Sequence, residues 1–109
     1  MDAPFSIRHA AAEGSAVFTL SGRLDAGNAA HLKDTLKQAI DGGTPNLVVD
    51  VADVPFIDSA GLSALVFGLK AARRAGGDLT LQGVPPQMLT ILSLTMLDRV
   101  FPIRPTAGT

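Results

Sequence analysis

With 109 residues, 47% of them hydrophobic and 17% charged, the chain suits one domain that buries a core of Leu, Val, Ile and Ala without disulfides or a structural metal. Nine basic against ten acidic residues give a formal charge of −1, and the basic cluster Lys70, Arg73 and Arg74 sits where a helix C-terminus favours cations, so no nucleic-acid partner is expected. The lack of cysteine excludes thiol catalysis, disulfides and cysteine-ligated zinc, and with neither a basic leader nor an apolar run near the roughly 18 residues of a membrane span, a cytoplasmic protein without membrane insertion is expected.

FSIRHA (5–10) and AVFTLSG (16–22) are short extended segments, and Gly14 between them predicts a leading hairpin. From Asn28 to Asp41 the apolar period becomes helical: Ala29, Leu32, Leu36, Ala39 and Ile40 share a face, and Gly42 and Gly43 close the helix. NLVVDV (46–51) is a continuous β-branched run of the kind a buried parallel strand shows. A second helix is predicted from about Ser59 to Ala75, ended by Gly76 and Gly77. DLTLQGV (78–84) is the next strand, PPQMLTILSLT (85–95) opens a third helix on prolines, and RVFPI (99–103) is a last short strand. The order predicts a single α/β domain with its core at about 4–103, and RPTAGT (104–109) is expected to be a loose tail.

The second helix has two apolar sides. Leu62, Leu65, Val66 and Leu69 cluster on the arc expected to cover the sheet. Ala60, Ala64, Phe67, Gly68 and Ala71 gather on the opposite arc, with Ser63, Lys70 and Arg74 as a polar flank. Either a neighbouring helix covers this back, or it is an exposed patch kept for a partner with Phe67 as the anchor. At the helix start, in FIDSAGL (56–62), either Asp58 or Ser59 can be the N-cap. If Asp58 caps, the Ser59 hydroxyl is free at the rim. Gly61 then removes a side chain from the approach to it.

Ser59 lacks the surroundings of a nucleophile: the sequence is not a G-x-S-x-G elbow, and nothing places His9 or His31 beside it. The acids are scattered, without the spacing of a metal-ligand set, and GGTP (42–45) lacks the ending of a phosphate-binding loop. No cofactor, no metal and no catalytic residue are expected.

The run VVDVADVPFIDSAGLSAL closely resembles the central motif of STAS domains, the fold of bacterial anti-sigma factor antagonists, in which a hydrophobic strand leads into Asp-Ser-Ser/Ala-Gly-Leu at a helix start. GRLDAGNAAHLKDTL (22–36) is similar to the family's Gly-x-Leu-Asp segment, and RRAGGDLTL with LTMLDRVFPI resembles its later strand and C-terminal helix. The resemblance implies an STAS-like α/β domain, with a mixed sheet of four to five strands, an N-terminal hairpin and about three helices packed on the sheet.

Residue by residue, it implies that Ser59 is phosphorylated by a partner kinase, that Asp58 is the acid preceding that serine, and that Asp25 lies near it on the kinase surface. Ala60, Gly61, Ser63, Ala64 and Phe67 are expected to complete that surface. Two positions depart from the family pattern. Ala60 replaces a frequent second serine, and Met96 stands where a glycine is common, at a cost on the order of 1 kcal/mol if the backbone there is left-handed.

The implied partners are a sigma-binding serine kinase, which supplies the ATP site, and a PP2C-type phosphatase acting on phosphorylated Ser59. The implied activity is that of a non-enzymatic anti-sigma factor antagonist. The rival implication is a non-phosphorylated STAS subunit of a larger complex, such as a lipid-transport ATPase.

Overall fold

The computed structural model of the chain describes residues 4–12 and 14–105. Strands β1 (Ser6–Ala12) and β2 (Ser15–Ser21) pair antiparallel as the leading hairpin. Strands β3 (Asn46–Asp53), β4 (Asp78–Gln82) and β5 (Ile103–Arg104) then add in order, each parallel to the one before, giving one sheet of order β1-β2-β3-β4-β5. Helices α1 (Ala29–Asp41), α2 (Ser59–Arg74) and α3 (Pro86–Leu94) are the crossovers between the parallel strands. Because each crossover advances one strand in the same direction, the right-handed rule places all three helices on one face of the sheet.

The register shows which face. Ala16, Leu47 and Leu79 form one row across β2, β3 and β4, and Phe18, Val49 and Leu81 form the next; all six are buried. They join Leu32 and Leu36 of α1, Leu65 and Leu69 of α2, and Met88 and Leu92 of α3 in one cluster. Alternation along each strand sends the intervening residues to the opposite face. There Thr19, Asp50, Gln82 and Arg104 make a polar row. Gln82 Nε2 donates to Asp50 Oδ2 at 2.7 Å, and Arg104 Nε donates to Gln82 Oε1 at 2.8 Å.

That row corrects the expected C-terminus. The last strand exists but is shorter and later than 99–103: Leu97–Arg99 form a 3₁₀ turn, Phe101 is buried in the core, and pairing is confined to Ile103 and Arg104 between two prolines. Proline has no N–H for the ladder, so Pro102 contributes only its carbonyl, to Leu81 N at 2.8 Å. Arg104 therefore belongs to the sheet rather than to a tail, and residues 106–109 of the expected tail lie outside the described residues.

Helix α1 covers the centre of the apolar back of α2, at Ala64 and Gly68, and leaves Ala60, Phe67 and Ala71 half-buried at its margins. A Cβ added to Gly68 would stand 2.6 Å from Leu36 Cδ1 and 2.9 Å from Leu79 Cδ1, so the helix lies pressed between α1 and β4 at that point. Ala64 and Gly68 are buried, and Phe67 is half-buried with Lys33 Nζ of α1 5.8 Å from its ring centroid. Small side chains on this arc let two helices approach closely, and of the two readings left open by the sequence the covering helix is the one found. Arg73 staples the far end of α2, donating to Asp78 Oδ1 at 3.1 Å and to the Val100 carbonyl at 2.7 Å.

The turn leaving α3 is left-handed. Met96 has φ 62 and ψ 13, and among the described residues it is the one non-glycine with positive φ. The methionine thus occupies the conformation that glycine adopts freely, at a cost of about 1 kcal/mol.

Candidate functional site

Beyond the ends of β2 and β3 the two chains continue side by side. Gly22 N donates to the Asp53 carbonyl at 3.1 Å, Leu24 N to Phe56 at 2.9 Å, and Asp58 N to Leu24 at 3.3 Å. Leu24 pairs with Ile57, and both side chains are buried. Arg23 and Phe56 precede this pair and Asp25 and Asp58 follow it, so all four lie at the carboxyl edge of the parallel strands. Arg23 lies over the Phe56 ring with Cζ 4.1 Å from its centroid, and its Nε is 3.7 Å from Asp25 Oδ2.

Each acid shapes the backbone. Asp25 Oδ1 accepts from Gly27 N at 3.0 Å and from Asn28 Nδ2 at 3.2 Å, while its carbonyl accepts from Asn28 N and Ala29 N, so this residue folds the loop that starts α1. Asp58, in an extended conformation, is the N-cap of α2: Oδ1 accepts from Gly61 N at 2.9 Å. Its second oxygen accepts from Ala26 N at 3.2 Å. One carboxylate therefore joins the Asp25 loop to the start of α2. Ser59 is the first residue of the helix and is exposed. With Asp58 as the cap, the serine hydroxyl is left at the rim.

Gly61 has a different role from the one expected. A Cβ there would be driven into the Leu24 carbonyl oxygen and lie 2.8 Å from Leu24 Cγ. The glycine is buried and permits α2 to sit on the Leu24 backbone; it does not clear a path to Ser59. Ala64 is 0% exposed, which removes it from any contact surface, because its arc of the helix faces α1. Ala60 is half-buried against the core, and Phe67 lies at the seam between α1 and α2.

The apolar surface next to Ser59 has other owners. Ser59, Leu62, Ser63 and Val66 of α2 line an open groove of about 290 Å³, and Leu97 of the 3₁₀ turn is its other wall. Leu62, Val66 and Leu97 are only half-buried, whereas Ser63 is exposed. Leu62 and Val66 sit at the margin of the sheet-facing arc, a position the helical wheel could have marked as incompletely covered. The approach of Leu97 follows from the left-handed turn and has no signal in the sequence around Ser59.

The histidines are engaged elsewhere: His9 stacks on Phe18 with centroids 4.8 Å apart, and His31 meets the edge of Phe5 at 6.4 Å. Among the described residues, no group of three His, Cys, Asp or Glu side chains could hold a metal ion, and no helix is long and apolar enough to cross a membrane.

Comparison with known proteins places this geometry in a family. The family model described as the STAS domain matches residues 7–109. A protein of Bordetella bronchiseptica, provisionally named anti-sigma factor antagonist BtrV, is 26% identical over 91 residues, covering 84% of this chain and 78% of that protein. The crystal structure of an anti-sigma factor antagonist from Mycobacterium paratuberculosis superposes with a TM-score of 0.85 at 27% identity, over 98% of this chain and 92% of that one. A Thermotoga maritima protein with the same kind of provisional name gives a TM-score of 0.88 at 25% identity, over 94% and 88% of the two chains.

Proposed function

The chain belongs to the STAS domain family, and from that premise we propose that it is an anti-sigma factor antagonist switched by phosphorylation of Ser59. In this reading the unmodified protein docks on a sigma-binding serine kinase through the Asp25 loop, the start of α2 and the groove beside it, and the sigma factor is released. The observation that carries the reading is the exposed serine at the first position of a helix whose capping duty is already discharged by Asp58.

Phosphoryl transfer to the Ser59 hydroxyl adds about −1.5 to −2 charges at pH 7. The helix dipole and the free N–H groups of the first turn favour an anion at this spot. Asp58 beside it and the apolar walls of Leu62, Val66 and Leu97 do not. The modified serine is therefore tolerated by the fold and rejected by an interface that must cover it. A PP2C-type phosphatase resets the switch by hydrolysing the phosphoserine. The protein itself contributes no catalytic group, and it works in the cytoplasm, where ATP and sigma factors are found.

Reconstitution tests this. The protein is incubated with ATP and each purified sigma-binding serine kinase encoded in the same genome, and peptides spanning residues 46–70 are mapped by mass spectrometry. Phosphate on Ser59, with release of the kinase's sigma factor by the unmodified protein alone, is the expected result. An unmodified Ser59 with every kinase, together with stable association with ATPase and permease subunits in the host, would replace the reading with that of a permanent subunit of a transport complex.

A further inference from the structure

We propose that Met96 is a partner-selecting contact: a methionine kept in a left-handed turn so that its side chain meets an apolar patch on the kinase that modifies Ser59. The inference rests on the functional reading above and adds a determinant of which kinase is bound.

Met96 is unfavourable in two independent ways. Its φ of 62 is a conformation that brings Cβ against the backbone in every residue except glycine. The residue is 58% exposed, so most of its surface stays in contact with water. Nothing in the turn itself requires a side chain. Met96 N donates to the Ser93 carbonyl at 3.1 Å, Arg99 N to the Met96 carbonyl at 3.2 Å, and Val100 N and Phe101 N both to Leu97 at 3.0 Å. These are backbone bonds that glycine would make equally well. Strain that persists at a surface position without return inside the molecule points to a use outside it.

The location identifies the user. Met96 immediately precedes Leu97, and Leu97 shares its groove with Ser59. A kinase that transfers a phosphoryl group must bring its reacting atoms to about 3–3.5 Å from the serine oxygen. Its surface then lies over the mouth of this groove, whose Leu97 wall is preceded in the chain by Met96. The walls contributed by Leu62, Val66 and Leu97 carry no charge, so the matching kinase surface is apolar there. An unbranched, polarizable side chain such as methionine adapts well to such a surface.

The test uses the unphosphorylated protein, its Met96→Gly and Met96→Ala variants, and the same panel of purified sigma-binding serine kinases, with affinity read by calorimetric titration and stability by thermal unfolding. Met96→Gly relieves the strained turn, so its Tm is expected to rise by about 4 °C or more. Its affinity for the kinase preferred by the wild type is nevertheless expected to fall at least tenfold. Met96→Ala retains a Cβ in the turn and is expected to lose a similar factor without the rise in Tm. Wild-type affinity in both variants overturns the inference while leaving the function standing. Failure of the wild type to bind any kinase of the panel overturns the function, and this inference with it. A monomer–dimer equilibrium that depends on Met96, with kinase affinity unchanged, also overturns it, assigning the side chain to a second copy of the chain.

Discussion

At Asp58 a single carboxylate accepts two backbone donors from two elements, Gly61 N of α2 and Ala26 N of the neighbouring loop. Removing an N-cap acceptor costs about 0.5–2 kcal/mol. Asp58→Ala is therefore expected to lose about that much in urea unfolding, with faster amide exchange at Ala26 as well as Gly61. Asp58→Asn keeps a capping oxygen and should lose less; equal losses would show that capping is not what the residue supplies. Gly61 makes the opposite kind of contact, one in which an added atom has no room. In Gly61→Ala a methyl group meets the Leu24 backbone, which cannot rotate away as a side chain could. A loss of about 1–3 kcal/mol is expected. If Gly61 only cleared a path to Ser59, this variant would unfold at the wild-type temperature and lose only its kinase affinity. Ser59 separates charge from shape: Ser59→Ala should stay bound to the kinase and resist switching. Ser59→Asp should bind about a hundredfold more weakly, equivalent to about 2.7 kcal/mol. Equal affinities for these two variants in the same titration would remove the switch.

Among the elements, the helices and the parallel strands were legible because their apolar periods are long and clean. Ala29, Leu32 and Leu36 are buried where the 3.6-residue repeat puts them, and the run through Leu47, Val49 and Val51 is the central buried strand. The back of α2 was not decidable from one helix, because small residues on an arc look alike whether α1 or solvent lies beyond them. The last strand was misplaced for a physical reason too: RVFPI has strand-like residues, but a strand needs donors, and the prolines at 102 and 105 leave only two residues between them to pair. Besides its two ladder bonds, β5 is tied to the sheet by the lateral row Asp50–Gln82–Arg104, with Asp50 and Gln82 only 9% and 5% exposed. Gln82→Leu would leave the Asp50 carboxylate without its side-chain donor and Arg104 without its acceptor. Leaving such a group unpaired costs about 1–3 kcal/mol or more. The variant should lose that much stability, and the amides of Leu81 and Gly83, which bond to Pro102 and Arg104, should exchange faster than those at the β3–β4 pairing. Unchanged protection at Leu81 and Gly83 would show that β5 is held by the ladder alone.

For the whole molecule, the placement of Ser59 sets the proposed switch apart from the contacts that hold the fold. Ser59 lies at the rim, outside the core cluster, and the bonds that define the start of α2 run through Asp58, Gly61 and Ala26. A phosphate there is favoured by the helix N-terminus by about 0.3–1 kcal/mol. Repulsion from the Asp58 carboxylate acts in the other direction, at an exposed position where water and salt weaken both terms. The two effects largely offset each other, so phosphorylation should move the stability of the domain by less than about 1 kcal/mol, or less than about 4–8 °C in Tm. Under the proposed docked kinase the same group would have no compensating water, and the predicted hundredfold loss of affinity is expected to arise there. Protein carrying phosphoserine at position 59 should therefore melt within a few degrees of the unmodified form, in calorimetry at equal ionic strength, while no longer releasing the sigma factor. A drop of more than about 10 °C would mean that the start of α2 unravels on modification, and the switch would then act through the fold rather than through the surface it presents.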